Sequence, residues 1–239
     1  MAFQTVFKRY ELKYLLTAEQ FDAVKRGMEG YMEPDRYGKS TIRNIYYDTD
    51  DYRLVRHSIE KPIYKEKLRM RSYAAAEPES TVFLELKKKY DGVVYKRRLS
   101  LPLCDAEEWL RCQDGAPMRT QISDEIDYFL SYYSTLRPRV YLSYEREAFF
   151  LREDKNFRVT FDRNILARTD SLSLTRDVGG ISLLGDGLVL MEIKCAGGMP
   201  IWMARLLSEQ KIYKTSFSKY GEAYKTMIFP KMTFGRSGG

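Results

Sequence analysis

The 239-residue chain has a single histidine, His57, and three cysteines, Cys104, Cys112 and Cys195, with no CxxC among them. One histidine argues against a His-rich metal centre, and no Ser/His or Cys/His arrangement suggests an activated nucleophile. An odd, widely spaced cysteine set gives neither a disulfide framework nor a zinc site, and predicts a reducing compartment. No segment approaches the roughly 20 apolar residues of a membrane span, and no N-terminal stretch resembles a signal peptide. The expectation is a soluble, cytoplasmic protein with no membrane segment. Internal repeats, low-complexity tracts and long Pro/Gly/Ser linkers are also missing. A single domain over residues 1–232 is therefore expected, followed by a flexible tail over 233–239.

What is present is positive charge and tyrosine. Lys and Arg number 40 against 33 Asp and Glu, for a net charge of +7, and 19 Tyr and 12 Phe stand beside two Trp. The basic excess points to an anionic partner and leaves nucleic acid, anionic lipid and phosphate compounds open. Tyr and Phe favour strands. Eight alternating segments read as long strands: 3–14, 42–48, 63–73, 81–90, 93–103, 139–151, 156–166 and 188–195. Asp91-Gly92 between two of them is a hairpin signal. Thr17-Ala-Glu-Gln20 has capping-box form and opens a helix to residue 31. Further helices are expected over 50–60, 105–112, 122–133, 200–213 and 220–229. The pattern predicts an α+β fold, a closed eight-stranded antiparallel β-barrel with flanking helices, because closure removes exposed edges.

Strand side chains alternate between two faces, and here the polar faces are strongly cationic. Lys65, Lys67, Arg69 and Arg71 share one face, opposite Leu68 and Met70. Arg9, Glu11 and Lys13 share a face, as do Glu85 and Lys87, Lys96 and Arg98, Arg158, Thr160 and Asp162, and Glu192 and Lys194; Arg146 is in phase with Tyr144. For any one strand the ordinary reading is a solvated face. The repetition, and the lack of an acid within the stripe of Lys65, Lys67, Arg69 and Arg71, argue otherwise. At about 4 Å and an effective dielectric near 20, one like-charge pair costs about 4 kcal/mol, a cost that a bound polyanion recovers. Arg offers forked contacts to phosphate and Lys offers point charges. Glu11, Glu85 and Glu192 sit among these cations either as ion-pair partners or as ligands of Mg²⁺ or Mn²⁺. Pairing suits Glu11 and Glu85. Glu192, in a strand that otherwise reads as core, is the best metal candidate.

These residues carry a family resemblance. Arg9-Tyr-Glu-Leu-Lys-Tyr14, Asn44-Ile-Tyr-Tyr-Asp48, Leu68-Arg-Met-Arg71, Val82-Phe-Leu-Glu-Leu-Lys87, Tyr144-Glu-Arg-Glu-Ala-Phe149, Met191-Glu-Ile-Lys194 and Ser216-Phe-Ser-Lys-Tyr220 occur in an order that resembles bacterial VTC (vacuolar transporter chaperone) domains. The resemblance implies the eight-stranded tunnel of the triphosphate tunnel metalloenzymes and synthesis of inorganic polyphosphate from ATP with Mn²⁺ or Mg²⁺. It places Lys13, Arg69, Arg71, Lys87, Lys96, Arg146 and Arg158 on nucleotide phosphates or product, Glu192 on the metal, and Lys219 near the tunnel mouth. Lys194 joins the catalytic set with Lys13, Arg69, Arg71 and Lys87. Arg9, Lys67 and Arg98 join the phosphate-binding set with Lys96, Arg146, Arg158 and Lys219, and Glu11 and Glu85 join Glu192 as metal candidates. Many hydrolytic relatives carry ExExK on the first strand; here it reads Arg9-x-Glu11-x-Lys13, which argues against an adenylate cyclase or thiamine-triphosphatase role. A basic residue expected near Ser216 is missing, with Lys214 as its substitute. The expected partners are ATP and polyphosphate or triphosphate, not nucleic acid, with export or regulation left to other proteins. Tripolyphosphate or nucleotide hydrolysis by the same residues, and a non-catalytic polyphosphate-binding module, are the rival readings.

Overall fold

The computed structural model describes residues 10–91 and 93–234. In chain order it contains β1 (Tyr10–Leu16), α1 (Ala18–Met28), β2 (Met32–Asp48), α2 (Arg53–Ile59), β3 (Tyr64–Ser72), β4 (Thr81–Tyr90), β5 (Val93–Pro102), α3 (Leu103–Cys112), α4 (Gln121–Tyr132) and β6 (Arg137–Leu151). There follow β7 (Arg158–Arg168), β8 (Ile181–Ser182), β9 (Val189–Cys195), α5 (Ile201–Glu209), β10 (Lys214–Thr215), α6 (Lys219–Ala223), a π-helical turn (Tyr224–Ile228) and α7 (Phe229–Phe234). The capping box of α1 is present, with the Thr17 and Gln20 side chains each bonded to the other's backbone N–H. Tyr90 pairs with Val93, so the β4–β5 turn has the two residues that Asp91-Gly92 predicts. Asp91 adopts a left-handed φ of 43°; Gly92 lies outside the described residues.

Three parts of the expectation change. The strand expected at 42–48 begins at Met32, because its first ten residues are largely exposed and include Pro34 and Gly38, so they show no apolar alternation. The two-residue strands β8 and β10 are too short to leave a periodic signal. The last helix runs on to Phe234, past the expected start of the tail at 233; residues 235–239 lie outside the described part.

Hydrogen bonds order the strands β10-β1-β9-β7-β6-β2-β3-β4-β5, with β8 beside β7. The sheet is antiparallel, as expected; among the described residues no ladder joins β5 to β10, so hydrogen bonds do not close it. Both ends carry edge protection: β10 is only two residues long, and β5 carries Lys96, Arg97 and Arg98. Among the described residues no helix is long and apolar enough to cross a membrane.

The chain forms two compact units, each woven from three separate stretches. That interleaving leaves no linker for a sequence reading to detect. The first unit takes the chain up to Thr41, Tyr144–Ile165 and Leu184–Phe217. Its core joins Tyr14, Leu16, Phe161, Met191 and Ile193 from the strands to Phe21, Val24 and Met28 of α1 and Met203 and Leu207 of α5. Phe21 meets Phe161 edge-on with ring centroids 5.1 Å apart. Gly27 makes room for Leu206, whose side chain would lie 2.6 Å from any Cβ added there.

The second unit takes Ile42–Ser143, Leu166–Leu183 and the chain from Ser218. Leu68, Met70, Leu84, Leu86, Leu99 and Leu101 of β3–β5 pack against Trp109 and Leu110 of α3 and Phe129 and Leu130 of α4. Each such buried side chain contributes about 1.5–3 kcal/mol. That burial supports the strands against like-charge repulsion on their other face.

Candidate functional site

In the second unit the register sets the charges in rows across β2–β5. Tyr46 faces Arg69, Arg69 faces Glu85 and Glu85 faces Arg98. One step along, Lys67, Lys87 and Lys96 stand opposite one another on three adjacent strands. Directly opposed like charges destabilise a sheet, and the neighbouring row supplies the compensation. Glu85, 1% exposed, accepts Arg69 Nε at 2.7 Å on Oε2 and Arg98 Nε at 2.7 Å on Oε1. Lys96 Nζ lies 2.6 Å from Oε1, and Arg98 Nη2 also donates to it. Burial alone would raise the Glu85 pKa, yet the charges of Arg69, Arg71 and Lys96 outweigh it and hold the carboxyl well below its usual range. With both oxygens on cations, Glu85 has the geometry of the ion-pair alternative.

The motif Asn44-Ile-Tyr-Tyr-Asp48 supports this face at every second residue. Asn44 Oδ1 accepts Arg71 Nε at 2.8 Å while its amide donates to the Leu142 carbonyl at 3.1 Å. The Tyr46 hydroxyl accepts Arg69 Nη1 at 3.1 Å. Burial opposes ionisation of Tyr46, but Arg69, Lys67 and Arg71 overcome it and bring the phenol down to about 8. Asp48 accepts the backbone N–H groups of Thr49, Leu54 and Val55, which starts α2, and the Tyr220 hydroxyl at 2.8 Å. Tyr220 in turn stacks on Tyr46, centroids 4.6 Å apart. This fixes the segment bearing Ser218, which takes Lys67 Nζ at 3.4 Å, and Lys219, the first residue of α6. Sequence reasoning used Asn44, Tyr46 and Asp48 as part of a motif of the family resemblance and left them out of the candidate site, although their two-residue spacing marks one face of the strand. Tyr73, whose hydroxyl accepts Arg98 Nη2 at 3.1 Å, was also missed. Lys65 directs its ammonium to the Ser58 carbonyl at 3.2 Å.

In the first unit, Lys13 faces Glu192 and Glu192 faces Thr160; Glu11 faces Lys194 and Lys194 faces Arg158. Lys194 Nζ lies 2.6 Å from Glu192 Oε1, and Lys13 Nζ stands 3.5 Å from Glu11 and 3.9 Å from Glu192 Oε2. Lys13 also donates to the Phe217 carbonyl at 2.8 Å. Burial works against the charge of Glu192, but Lys194, Lys13 and Arg146 hold its pKa well below the usual range. Arg146 forks onto buried Asp162 at 2.6 and 2.7 Å. Burial disfavours its charge, and Tyr144, Asp162 and Glu192 more than restore it. Arg158 reaches Asp35 at 2.9 Å.

Each unit gathers its predicted residues on a sheet face. Glu11, Lys13, Arg146, Arg158, Glu192 and Lys194 share one in the first unit. Lys67, Arg69, Arg71, Glu85, Lys87, Lys96 and Arg98 share one in the second, where Lys219 follows the Ser218 partner of Lys67. Arg9 lies outside the described residues. Among the described residues no group of three or more His, Cys, Asp or Glu could hold a metal. Glu192 and Glu11, both within 4 Å of one ammonium, are hard oxygen donors on one face. They fit Mg²⁺ or Mn²⁺, which commonly takes one or two carboxylates and completes its shell with water and substrate phosphate.

Residues 8–228 match the VTC domain family. The chain is a VTC domain protein. Two solved structures share the fold of this VTC domain. One is a candidate adenylate cyclase from Bacillus halodurans, 16% identical with a TM-score of 0.53, the match covering 89% of this chain and 94% of that one. The other is HpAC1 from Hippeastrum, a candidate adenylyl cyclase with a dominant triphosphatase activity, 13% identical with a TM-score of 0.52, covering 92% and 97%. At such identities the likeness is one of fold. No curated protein matches the chain. The VTC domain thus has an antiparallel, β-rich α+β fold shared with these two structures.

Proposed function

We propose that this protein is a polyphosphate polymerase, transferring the γ-phosphate of ATP to the end of a growing polyphosphate chain. The observation that carries the reading is the second unit's face. Lys67, Lys87 and Lys96 oppose one another on adjacent strands, flanked by Arg69 and Arg98, which a single buried carboxylate holds in place. Strands stand about 4.7–4.9 Å apart, so the row offers a line of ammonium groups to a linear anion. Arg69, Arg71 and Arg98 are already oriented by Glu85, Asn44 and Tyr73, so their forks lose little freedom on meeting phosphate oxygens.

Phosphoryl transfer asks for positioning and charge neutralisation, not a protein nucleophile. That agrees with a chain poor in histidine and reactive cysteine. Glu192 and Glu11 would hold the divalent cation, which would supply neutralisation of the charge that develops on the phosphates. Lys194 and Lys13 hold the Glu192 carboxyl below its usual range and offer ammonium groups on the same face. Arg9 in place of the first glutamate of ExExK exchanges a metal ligand for a cation and favours an anionic acceptor over water. Hydrolysis is the rival, in line with the triphosphatase activity named for the Hippeastrum protein.

The acceptor separates the two. With ATP and Mn²⁺, adding short polyphosphate primers should accelerate ADP release about tenfold or more and saturate with primer concentration, the chain end then being the nucleophile. ADP or orthophosphate release that is unchanged or inhibited by primer would assign water as acceptor and defeat the polymerase reading.

A further inference from the structure

Thr160 of β7 stands in register with Glu192 of β9, which stands in register with Lys13 of β1. The three side chains form one row on one face, neighbours lying about 4.5–5.5 Å apart at Cβ. Thr160 is 2% exposed, and its Oγ1 has no hydrogen-bond partner among the described residues. A buried hydroxyl left unpaired is destabilising, and valine would fill the same space without that cost. The other polar residues of this strand face have evident partners, since Asp162 holds Arg146 and Arg158 reaches Asp35.

Glu192 is unevenly engaged in a matching way. Its Oε1 is bonded to Lys194 at 2.6 Å, while Oε2 is 3.9 Å from Lys13, too far for a hydrogen bond. The row therefore places an unpartnered buried hydroxyl in register beside a buried carboxylate on the same face. We propose that Thr160 is a positioning residue for the divalent cation, its hydroxyl oxygen holding the ion or one of the ion's waters together with Glu192 and Glu11. This rests on the metal role given to Glu192 above.

The residue type suits the task. A neutral oxygen adds a hard ligand without adding negative charge where phosphate must approach, and Mg²⁺ and Mn²⁺ take such oxygens beside one or two carboxylates. The β-branch of threonine restricts χ1 and suits a strand, so the hydroxyl direction is set before an ion arrives.

The test is Mn²⁺ titration of the whole chain, followed by electron paramagnetic resonance of free Mn²⁺, alone and with a non-hydrolysable ATP analogue. Wild type, Thr160→Val, Thr160→Ser and Glu192→Gln are compared. Thr160→Val should weaken Mn²⁺ binding about tenfold, Thr160→Ser should stay within about twofold of wild type, and Glu192→Gln should lose binding. Metal-free Thr160→Val should melt about 2–4 °C higher than wild type, because the unpaired hydroxyl is gone. Unchanged Mn²⁺ affinity in Thr160→Val, with binding lost in Glu192→Gln, would overturn the role of Thr160 and leave the metal reading standing. A lower metal-free Tm in Thr160→Val would make the hydroxyl structural and also overturn it. No Mn²⁺ binding by wild type under either condition would remove the metal position and Thr160 with it.

Discussion

Glu85→Ala is expected to lower the stability of the protein by about 3–5 kcal/mol, the cost of breaking a buried ion pair from one side. The carboxylate is buried and holds Arg69, Arg98 and Lys96 by charged hydrogen bonds. Removing it leaves those cations beside Lys67 and Lys87 with their repulsion uncompensated. Lys96 and Arg98 are partly open to solvent, which screens them and places the loss toward 3 kcal/mol. Urea denaturation measures it. The same variant should gain more stability from added tripolyphosphate than wild type does, because a bound anion replaces the missing charge. Equal stability with and without Glu85 would mean that the cationic face needs no internal counter-charge.

The pH dependence follows from the same residue and from Glu192. Both carboxyls are depressed in the folded protein, so their contribution is fully present above the unfolded carboxylate pKa of about 4.3. It is lost as pH falls below that value toward the lower folded pKa. Acid should therefore destabilise wild type more steeply than Glu85→Gln.

Glu192→Gln is expected to cut kcat by about 10²–10³-fold, the several kcal/mol that a metal ligand at a phosphoryl site supplies. Polyphosphate binding should be retained or tightened, because one negative charge disappears from beside Lys13, Lys194 and Arg146. Turnover and polyphosphate affinity measured on one preparation separate the two effects. An unchanged kcat would remove Glu192 from the chemistry, and loss of binding together with activity would make it a structural residue. The amide keeps the shape of the side chain, so the comparison isolates charge.

The cationic stripes were legible because a strand writes its two faces at every second residue. The set Lys67, Arg69 and Arg71 opposite Leu68 and Met70 needed only that rule. Cross-strand register was legible only in part. The two-residue Asp91-Gly92 turn sets Lys87 opposite Lys96 and Glu85 opposite Arg98, but nothing in the sequence aligns Lys67 with Lys87 or Arg69 with Glu85; the shared core sets those pairings. For the same reason Glu85 was readable either as a metal ligand or as an ion-pair anchor. Asn44 and Tyr46 were hidden because, in a strand of apolar and aromatic residues, they look like core, and only the position of the arginines reveals their polar task. The first half of β2 was hidden because its residues are exposed and carry no alternation.

The measurement that bears most directly on the proposed activity is product analysis. Purified protein is incubated with ATP and Mn²⁺, the products are resolved on a polyacrylamide gel stained for polyphosphate, and ADP is quantified in parallel. A ladder of long chains, with one ADP formed for each phosphate incorporated, is expected. Orthophosphate released from ATP or tripolyphosphate with no chain longer than the input would contradict it and make the protein a hydrolase.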